Sequence, residues 1–268
     1  MAGEDRYPIC LVVGALIFSL GCCILYFKLK EDSNVKLNST LYLVHVELLS
    51  FMICPRYKKL LMERSKLPEI KEYMKKYDKT FSILEKKTNR SMNVLQAFFI
   101  NNLFDIQTAI GYPLEEWSAD VYPEPLHSLV LDMYYSMIST TEMSRINAGF
   151  FLKKLLFATE KEINTTLETS RKKIFLYSAH ETNVAILLGK LADAYSLTAI
   201  PPYGSYVIFE LHKINDSFGF KMFYQDYQQH HPKPLKIRGC SQDYFCSFQD
   251  FYHLVEELLP DGDEECFN

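Results

Sequence analysis

The chain has 268 residues, of which 48% are hydrophobic and 23% are charged. This balance is typical of a folded protein with one large domain or two small ones, so a wholly disordered chain is excluded. The 29 Lys and Arg residues are outnumbered by 33 Asp and Glu, and the net charge is −4. No basic excess is therefore present to neutralise a nucleic-acid backbone, and we expect no nucleic-acid partner.

The first predicted element is an apolar segment at residues 9–27, with the sequence ICLVVGALIFSLGCCILYF. As an α-helix, an uncharged run of this length spans about 28 Å, close to the thickness of a bilayer core. Residues 1–30 are therefore predicted to hold an uncleaved transmembrane helix, with a signal peptide cleaved after Gly21 and a buried helix as alternatives. Lys28 and Lys30 follow the segment and weakly favour a cytoplasmic location for the rest of the chain.

The cysteines and the glycosylation sequons indicate the opposite location. Four cysteines lie outside the apolar segment, and an even number is typical of disulfide bonds in an oxidising compartment. Cys240 and Cys246 suit a local bridge, which leaves Cys54 with Cys266; four free thiols are the alternative. N-x-[ST] sequons occur at Asn38, Asn89, Asn164 and Asn215. Together these features outweigh two lysines, so we expect a lumenal or extracellular domain, a lysosomal one included.

Hydrophobic periodicity divides the rest of the chain, residues 38–268, into a first strand, a helical block and an α/β part. The first strand is predicted at residues 41–46, with the sequence LYLVHV. The helical block at 55–165 is predicted to contain helices at 56–67, 69–87, 93–110, 126–143 and 148–161. The α/β part at 171–268 is predicted to contain strands at 174–177, 206–211 and 218–224 and helices at 184–195 and 248–259. This order predicts an α/β fold with a helical insertion.

The stretch that carries chemistry is KKIFLYSAHETNVAILLGKL, where a strand ends at Tyr177 and a helix begins near His180-Glu181. In open α/β sheets, ligands bind beyond the carboxyl ends of the strands. A helix N-terminus at this edge favours an anion such as phosphate. A histidine there can donate to an anionic oxygen, and an adjacent Glu can protonate a leaving group. Taken alone, a His-Glu pair at a helix start is more often a helix cap.

Several motifs resemble those of the histidine acid phosphatases. YSAHET at 177–182 resembles the C-terminal active-site motif of that family, PPYGS at 201–205 resembles its PPYAS stretch, and CPRY at 54–57 resembles its CPR[FY] stretch. The resemblance also covers the Arg238-Gly239-Cys240 tail and the terminal Cys266.

The resemblance implies a histidine phosphatase-like sheet, phosphate monoesters as substrates, and frequent homodimers. The sequence itself contains no CxxC pair, so we expect no metal or other cofactor. The resemblance assigns His180 and Glu181 to the catalytic site, with Glu181 as proton donor where most vertebrate members have Asp. It also implies that Cys54 pairs with Cys266.

The other half of the family's active site is missing from this sequence. Family members carry R-H-G-x-R-x-P after the first strand, with a nucleophilic His and phosphate-binding arginines, whereas LYLVHV at 41–46 is followed by ELLS. No His precedes a Gly and no Arg precedes a His. We therefore predict that the nucleophile, the arginines and part of the sheet are absent.

None of the remaining histidines is predicted to replace the nucleophile. His45 lies on the predicted first strand, His127 and His212 are expected at surface or cap positions, and His230-His231 are expected to be solvated rather than metal-bound.

Three hypotheses follow from the sequence. The first is a membrane-anchored or secreted acid phosphatase relative that has lost catalysis, as a pseudoenzyme, a truncated isoform or an incomplete gene model. The second is an active phosphomonoesterase with an unrecognised nucleophile. The third is a non-enzymatic binding module anchored to the membrane through residues 9–27.

Overall fold

A computed structural model of the chain describes residues 5–15, 54–164, 174–193, 199–226, 230–241 and 244–266. Its centre is a mixed sheet in the strand order β2-β1-β3-β4-β5, with β6 paired to β4. The strands are β1 (Asp5–Ala15), β2 (Ile174–Ala179), β3 (Tyr206–Ile214), β4 (Ser217–Gln225), β5 (Lys233–Leu235) and β6 (Cys246–Ser247). β1 runs parallel to β2, and the other pairs are antiparallel. The prediction of an α/β fold is confirmed.

Strand β1 corrects the predicted N-terminal helix. Residues 9–15, the first part of the predicted transmembrane or signal helix, are β-strand and pair with β2 on one side and β3 on the other. A strand with neighbours on both sides is often a continuous apolar run, which sequence periodicity cannot separate from a buried or membrane helix. Residues 16–27, and the first strand predicted at 41–46, lie outside the described residues.

The helical block between β1 and β2 is more segmented than the sequence predicts. It contains α1 (Pro55–Ser65), α2 (Pro68–Met74), α3 (Asp78–Thr88), α4 (Val94–Ala109), α5 (Leu126–Met137), α6 (Thr141–Ser144) and α7 (Phe150–Asn164). The helix predicted at 69–87 is divided by a 3₁₀ turn at Lys75–Tyr77, and the one predicted at 126–143 stops at Met137. A π-helical turn at Arg145–Gly149 joins α6 to α7.

The first turn of α4 is closed by a reciprocal pair of side-chain hydrogen bonds. The Gln96 amide N–H donates to Asn93 Oδ1 at 3.0 Å, and the Asn93 amide N–H donates to Gln96 Oε1 at 2.9 Å. These bonds satisfy two backbone donors that a helix N-terminus otherwise leaves to water.

We expect Asn93→Ala to lower the free energy of unfolding by about 1 kcal/mol, because the Gln96 amide loses its cap. Asn102→Ala, within α4 and outside the cap, is the matched control and should change stability by less than about 0.5 kcal/mol. Denaturant titrations of the two variants measure the difference; equal stabilities would contradict a stabilising role for this cap.

In the C-terminal part, α8 (Glu181–Leu191) follows β2, and α9 (Phe248–Val255) follows β6. The structure starts α8 three residues before the predicted position, directly after His180. The helix predicted at 248–259 ends as a 3₁₀ turn at Glu256–Leu258. These boundaries place His180 at the junction of β2 and α8.

Two hydrophobic cores support this arrangement. The larger core joins the sheet to α5, α7, α8 and α9, and in it the Phe209 ring contacts Phe151, Phe220 and Phe251 at centroid distances of 6.1–6.4 Å. The smaller core lies within the helical block and is formed by Tyr77, Leu84, Ala97, Phe104, Val121, Leu126 and Leu129. Helix α5 contributes to both and therefore connects the helical block to the sheet.

Two disulfides and a set of polar contacts hold the C-terminal segment. The structure joins Cys54 to Cys266 across 212 residues and Cys240 to Cys246 across six, which are the pairs expected from the sequence. Arg145 donates to the Glu257 carbonyl and to Glu265 Oε1. The Cys54–Cys266 bridge thus ties the start of the helical block to the end of the domain. Within the described part of the chain, no helix has both the length and the apolar character needed to cross a bilayer.

Candidate active site

The candidate site lies where the two parallel strands of the sheet end. Ala15 at the end of β1 pairs with Ala179 at the end of β2, and His180 follows as the N-cap of α8. The His180 amide N–H donates to Asn183 Oδ1 at 3.1 Å, and the Asn183 N–H donates to the His180 carbonyl at 3.0 Å. These two bonds set the direction in which α8 leaves the sheet. His180 is half-buried and lies directly before the N-terminus of α8.

Glu181, the first residue of α8, is buried together with Thr182 and Asn183. Helix α5 packs against α8, and its Tyr134 lies beside Thr182 and Glu181. Burial, with a contribution from the negative charge of Glu181, raises the pKa of Tyr134 well above its ordinary value. The Tyr134 hydroxyl therefore stays protonated and remains a hydrogen-bond donor.

Tyr203 is the second tyrosine in this region, in the loop before β3. It is half-buried, and burial together with the charges of Glu181 and Asp105 raises its pKa to about 12. The same two carboxylates also raise the pKa of Tyr134. Glu181 and Asp105 therefore act on the same pair of phenolic hydroxyls from different elements of the fold.

A cluster of polar side chains centres on Asp105 of α4. Asp105 Oδ1 accepts hydrogen bonds from the Tyr122 hydroxyl at 2.8 Å and from His127 Nε2 at 3.0 Å, and Oδ2 accepts one from Asn101 Nδ2 at 2.7 Å. We call Asn101, Asp105, Tyr122 and His127 the Asp105 cluster. The sequence alone does not reveal this cluster, because its members come from two helices and a loop. The only signal available was one polar face, Asn101 and Asp105, four residues apart on an apolar helix.

The comparison with family models assigns this arrangement to a family. The model described as "Histidine phosphatase superfamily (branch 2)" matches residues 32–225, well over half of the chain. The chain belongs to branch 2 of the histidine phosphatase superfamily. The match includes the β2–α8 junction with His180 and Glu181, as the sequence motifs predicted. Strand β1 lies before the matched region.

Curated relatives of this branch-2 chain are named acid phosphatases. Prostatic acid phosphatase from Homo sapiens is 28% identical over 225 residues, covering 81% of this chain and 56% of the relative. Venom acid phosphatase Acph-1 from Apis mellifera is 25% identical over 203 residues, covering 74% of this chain and 50% of the relative. The chain thus spans about half the length of the curated relatives that it matches.

Solved structures with a similar fold include two phytases. The phytase from Citrobacter braakii superposes with a TM-score of 0.54 at 18% identity, covering 82% of this chain and 70% of that one. The phytase from Klebsiella sp. ASR1 gives a TM-score of 0.50 at 15% identity, covering 77% and 65%. At these identities the likeness shows the fold alone.

The structure places the other histidines as follows. The prediction of a surface or cap position is wrong for His212. This residue is buried within β3, because the strand extends to Ile214. Its Nε2 lies 2.8 Å from Glu210 Oε2. His230 and His231 are exposed, and His45 lies outside the described residues. His127, expected at the surface, is half-buried and belongs to the Asp105 cluster.

The predicted glycosylation sites in the described part of the chain are accessible. Asn89 ends α3 in a left-handed conformation, Asn164 ends α7, and Asn215 lies in the β3–β4 turn. All three are exposed, and Asn38 lies outside the described residues. Loop and helix-end positions of this kind present an asparagine to solvent.

A cavity of about 420 Å³ lies elsewhere, over the Cys54–Cys266 bridge. It is lined by Pro55, Arg56, Lys59, Leu60, Glu63, Glu142 and Cys266. Arg56 Nε donates to Glu142 Oε1 at 2.6 Å, so the most basic side chain of this cavity is already paired with a carboxylate. Neither His180 nor Glu181 lines it, and the candidate site is separate.

The Asp105 cluster makes stability depend on pH. The hydrogen bond to Asp105 is the main cause that raises the pKa of His127, and the charges of Asp105 and Glu124 act in the same direction. A group whose folded pKa is raised stabilises the fold fully below its unfolded pKa, near 6.5, and the contribution is lost as pH rises through the folded pKa.

We therefore expect His127→Gln to be less stable than the parent chain at pH 5, with a smaller difference at pH 8. Denaturant titrations at both pH values measure this, and His231→Gln in an exposed loop is the matched control. A stability difference that grows with pH would contradict the assignment.

Proposed function

We propose that this chain recognises phosphate monoesters at the β2–α8 junction and is catalytically impaired. The observation that carries the proposal is the position of the His180–Glu181 pair in a sequence that lacks the family's nucleophile motif. It stands at the carboxyl edge of the parallel strands, yet the 268 residues contain no Arg-His-Gly motif. The residues that follow β1 in the sequence are Leu16, Ile17 and Phe18, none of which can attack phosphorus.

The chemistry of the remaining pair supports binding more than turnover. His180 can donate to a phosphate oxygen, and the N-terminus of α8 adds backbone N–H groups and a favourable dipole. Glu181 can protonate a leaving group, but a phosphohistidine route also needs the attacking imidazole. Loss of one member of a cooperative catalytic set removes most of the rate enhancement, so little hydrolysis is expected.

Hydrolysis of p-nitrophenyl phosphate at pH 5, and the binding of inorganic phosphate by calorimetry, test this proposal. We expect a rate near background for the parent chain, with phosphate binding that weakens at least fivefold in His180→Ala. His231→Ala, an exposed histidine in a loop, is the matched control and should bind as the parent does. Hydrolysis by the parent chain that Glu181→Gln abolishes and Glu210→Gln keeps would show that the chain is not catalytically impaired. Phosphate binding that is unchanged in His180→Ala would show that phosphate does not bind at the β2–α8 junction.

We also propose a lumenal or extracellular location for the domain. Two disulfides and three exposed sequons at Asn89, Asn164 and Asn215 support it, because both features belong to the secretory route. This proposal is tested by expressing the chain in secreting cells and measuring the mass of the product before and after treatment with peptide N-glycosidase. We expect the treatment to lower the mass. Unmodified protein with free thiols would contradict this location. The homodimer and the missing part of the sheet stay predictions.

A further inference from the structure

Helix α4 carries a row of exposed apolar side chains on the face opposite the core. Its buried residues are Ala97, Phe98, Asn101 and Phe104. We call the exposed row, which is between 37% and 72% exposed, the α4 stripe; it consists of Leu95, Phe99, Leu103, Ile106 and Ile110. These residues recur at intervals of four, four, three and four, so on a helix they fall within one arc of about 80°.

No charged residue interrupts the α4 stripe. Asp105 is the one charged residue of α4, and it is half-buried and bonded within the Asp105 cluster. The solvent face of a helix in a soluble protein is normally polar or charged, whereas a helix that is apolar all round is normally covered on every side. The α4 stripe is therefore a surface that indicates a partner.

The size of the α4 stripe fits one copy's share of a small protein interface. Fifteen residues of helix extend about 22 Å, and five large side chains that are roughly half exposed present about 500 Å². Two such faces would together bury about 1,000 Å², which is at the low end of specific interfaces and typical of weak, reversible complexes. A second α4 stripe matches the first in length and in apolar character.

The charges that flank the α4 stripe favour an antiparallel arrangement of two copies. Lys86 and Arg90 precede α4, Glu115 and Glu116 follow it, and all four are exposed. Antiparallel pairing about a two-fold axis places the basic end of each stripe beside the acidic end of the other, whereas parallel pairing would place like charges together. A lipid surface fits less well, because membrane-binding helices carry Lys and Arg beside their apolar face and α4 contains neither.

We propose that the α4 stripe is the contact surface of a reversible dimer of this chain, in which two α4 helices pack antiparallel about a two-fold axis near Leu103. Leu103 is the middle residue of the stripe, and Leu95 and Ile110 are its ends. Full overlap of two antiparallel stripes therefore brings Leu95 of each copy close to Ile110 of the other. The inference is independent of the proposed function, because His180 and Glu181 lie at the β2–α8 junction and not on α4.

Sedimentation velocity of the full chain tests the dimer. The N-glycans are removed first, because the sequon at Asn89 lies close to the start of α4. We expect a monomer–dimer equilibrium with a dissociation constant in the micromolar range, as for a small interface. Phe99→Lys should raise this constant at least tenfold, because each dimer would then bury two ammonium groups among apolar side chains.

Phe157→Lys is the matched control for Phe99→Lys. Phe157 lies on α7 with 69% of its surface exposed and is not part of the α4 stripe, so the same substitution should leave the dissociation constant unchanged. Leu103→Lys provides a second disruptive variant at the centre of the stripe. Circular dichroism of each variant separates loss of the dimer from loss of the fold.

Oxidative cross-linking of single-cysteine substitutions tests the antiparallel orientation. Leu103→Cys should form a disulfide-linked dimer, whereas Leu95→Cys should do so only when it is mixed with Ile110→Cys; Phe157→Cys is the control for the native thiols. A chain that stays monomeric at about 100 μM, or dimers that Phe99→Lys leaves intact, would overturn the inference. Binding of a monomer to phosphatidylcholine vesicles that Phe99→Lys abolishes would also overturn it and assign the stripe to a lipid surface.

Discussion

Replacing both Cys54 and Cys266 with serine is expected to lower the free energy of unfolding by about 5 kcal/mol. The bridge joins residues 212 apart and ties α1 to the end of the domain, so its loss frees nearly the whole unfolded chain. Both cysteines are buried in the larger core, and serine hydroxyls there would add unsatisfied polar groups. Denaturant unfolding of the purified double variant measures the loss.

The second disulfide provides the matched control for that experiment. Cys240 and Cys246 are only six residues apart, and the same chain-entropy argument gives about 2 kcal/mol for this short loop. We therefore expect the double variant Cys240→Ser, Cys246→Ser to lower the denaturant midpoint of unfolding less than the Cys54→Ser, Cys266→Ser variant does. Equal or reversed losses would show that the long bridge does not restrict the unfolded chain as proposed.

Replacing Phe209 with alanine is expected to cost about 4 kcal/mol of stability. Phe209 is fully buried on β3, where its ring meets aromatic rings from α7, β4 and α9. Removing it leaves a cavity that three separate elements, α7, β4 and α9, would have to move to fill. Thermal and denaturant unfolding of Phe209→Ala should both show the loss.

Phe99→Ala is the matched control for Phe209. Phe99 lies on α4 with 57% of its surface exposed, so the same substitution should change stability by less than about 0.5 kcal/mol. Similar losses for the two variants would contradict the position of β3 at the centre of the core.

The α/β layout could be predicted because its elements carry strong local patterns. The helices of the block show apolar residues at helical spacing, and the β3–β4 hairpin has Asn215 and Asp216 at its turn with positive φ. Strand β1 could not be predicted, because an uncharged apolar run satisfies the pattern of a membrane helix and of a strand with two neighbours equally well. The pairing partners that decide between them lie more than 150 residues away.

The candidate site was predicted only in part, for a similar reason. His180 and Glu181 are adjacent in sequence and carry a family motif, so they could be found directly. Asp105 and His127 are 22 residues apart on different helices, and only tertiary packing brings His127 Nε2 to within 3.0 Å of the carboxylate. His212 was misplaced because the sequence pattern ended its strand too early, whereas pairing with Gly219 continues the ladder.

Trapping of a covalent phosphoenzyme tests the central claim, that the chain has the acid half of the site and no nucleophile. The parent chain would be incubated at pH 5 with ³²P-labelled phosphate monoester, quenched in alkali to preserve phosphohistidine, and analysed by mass spectrometry. We predict no phosphohistidine at any of the seven histidines of the chain. A stoichiometric phosphohistidine that forms and turns over would contradict the claim and identify the nucleophile.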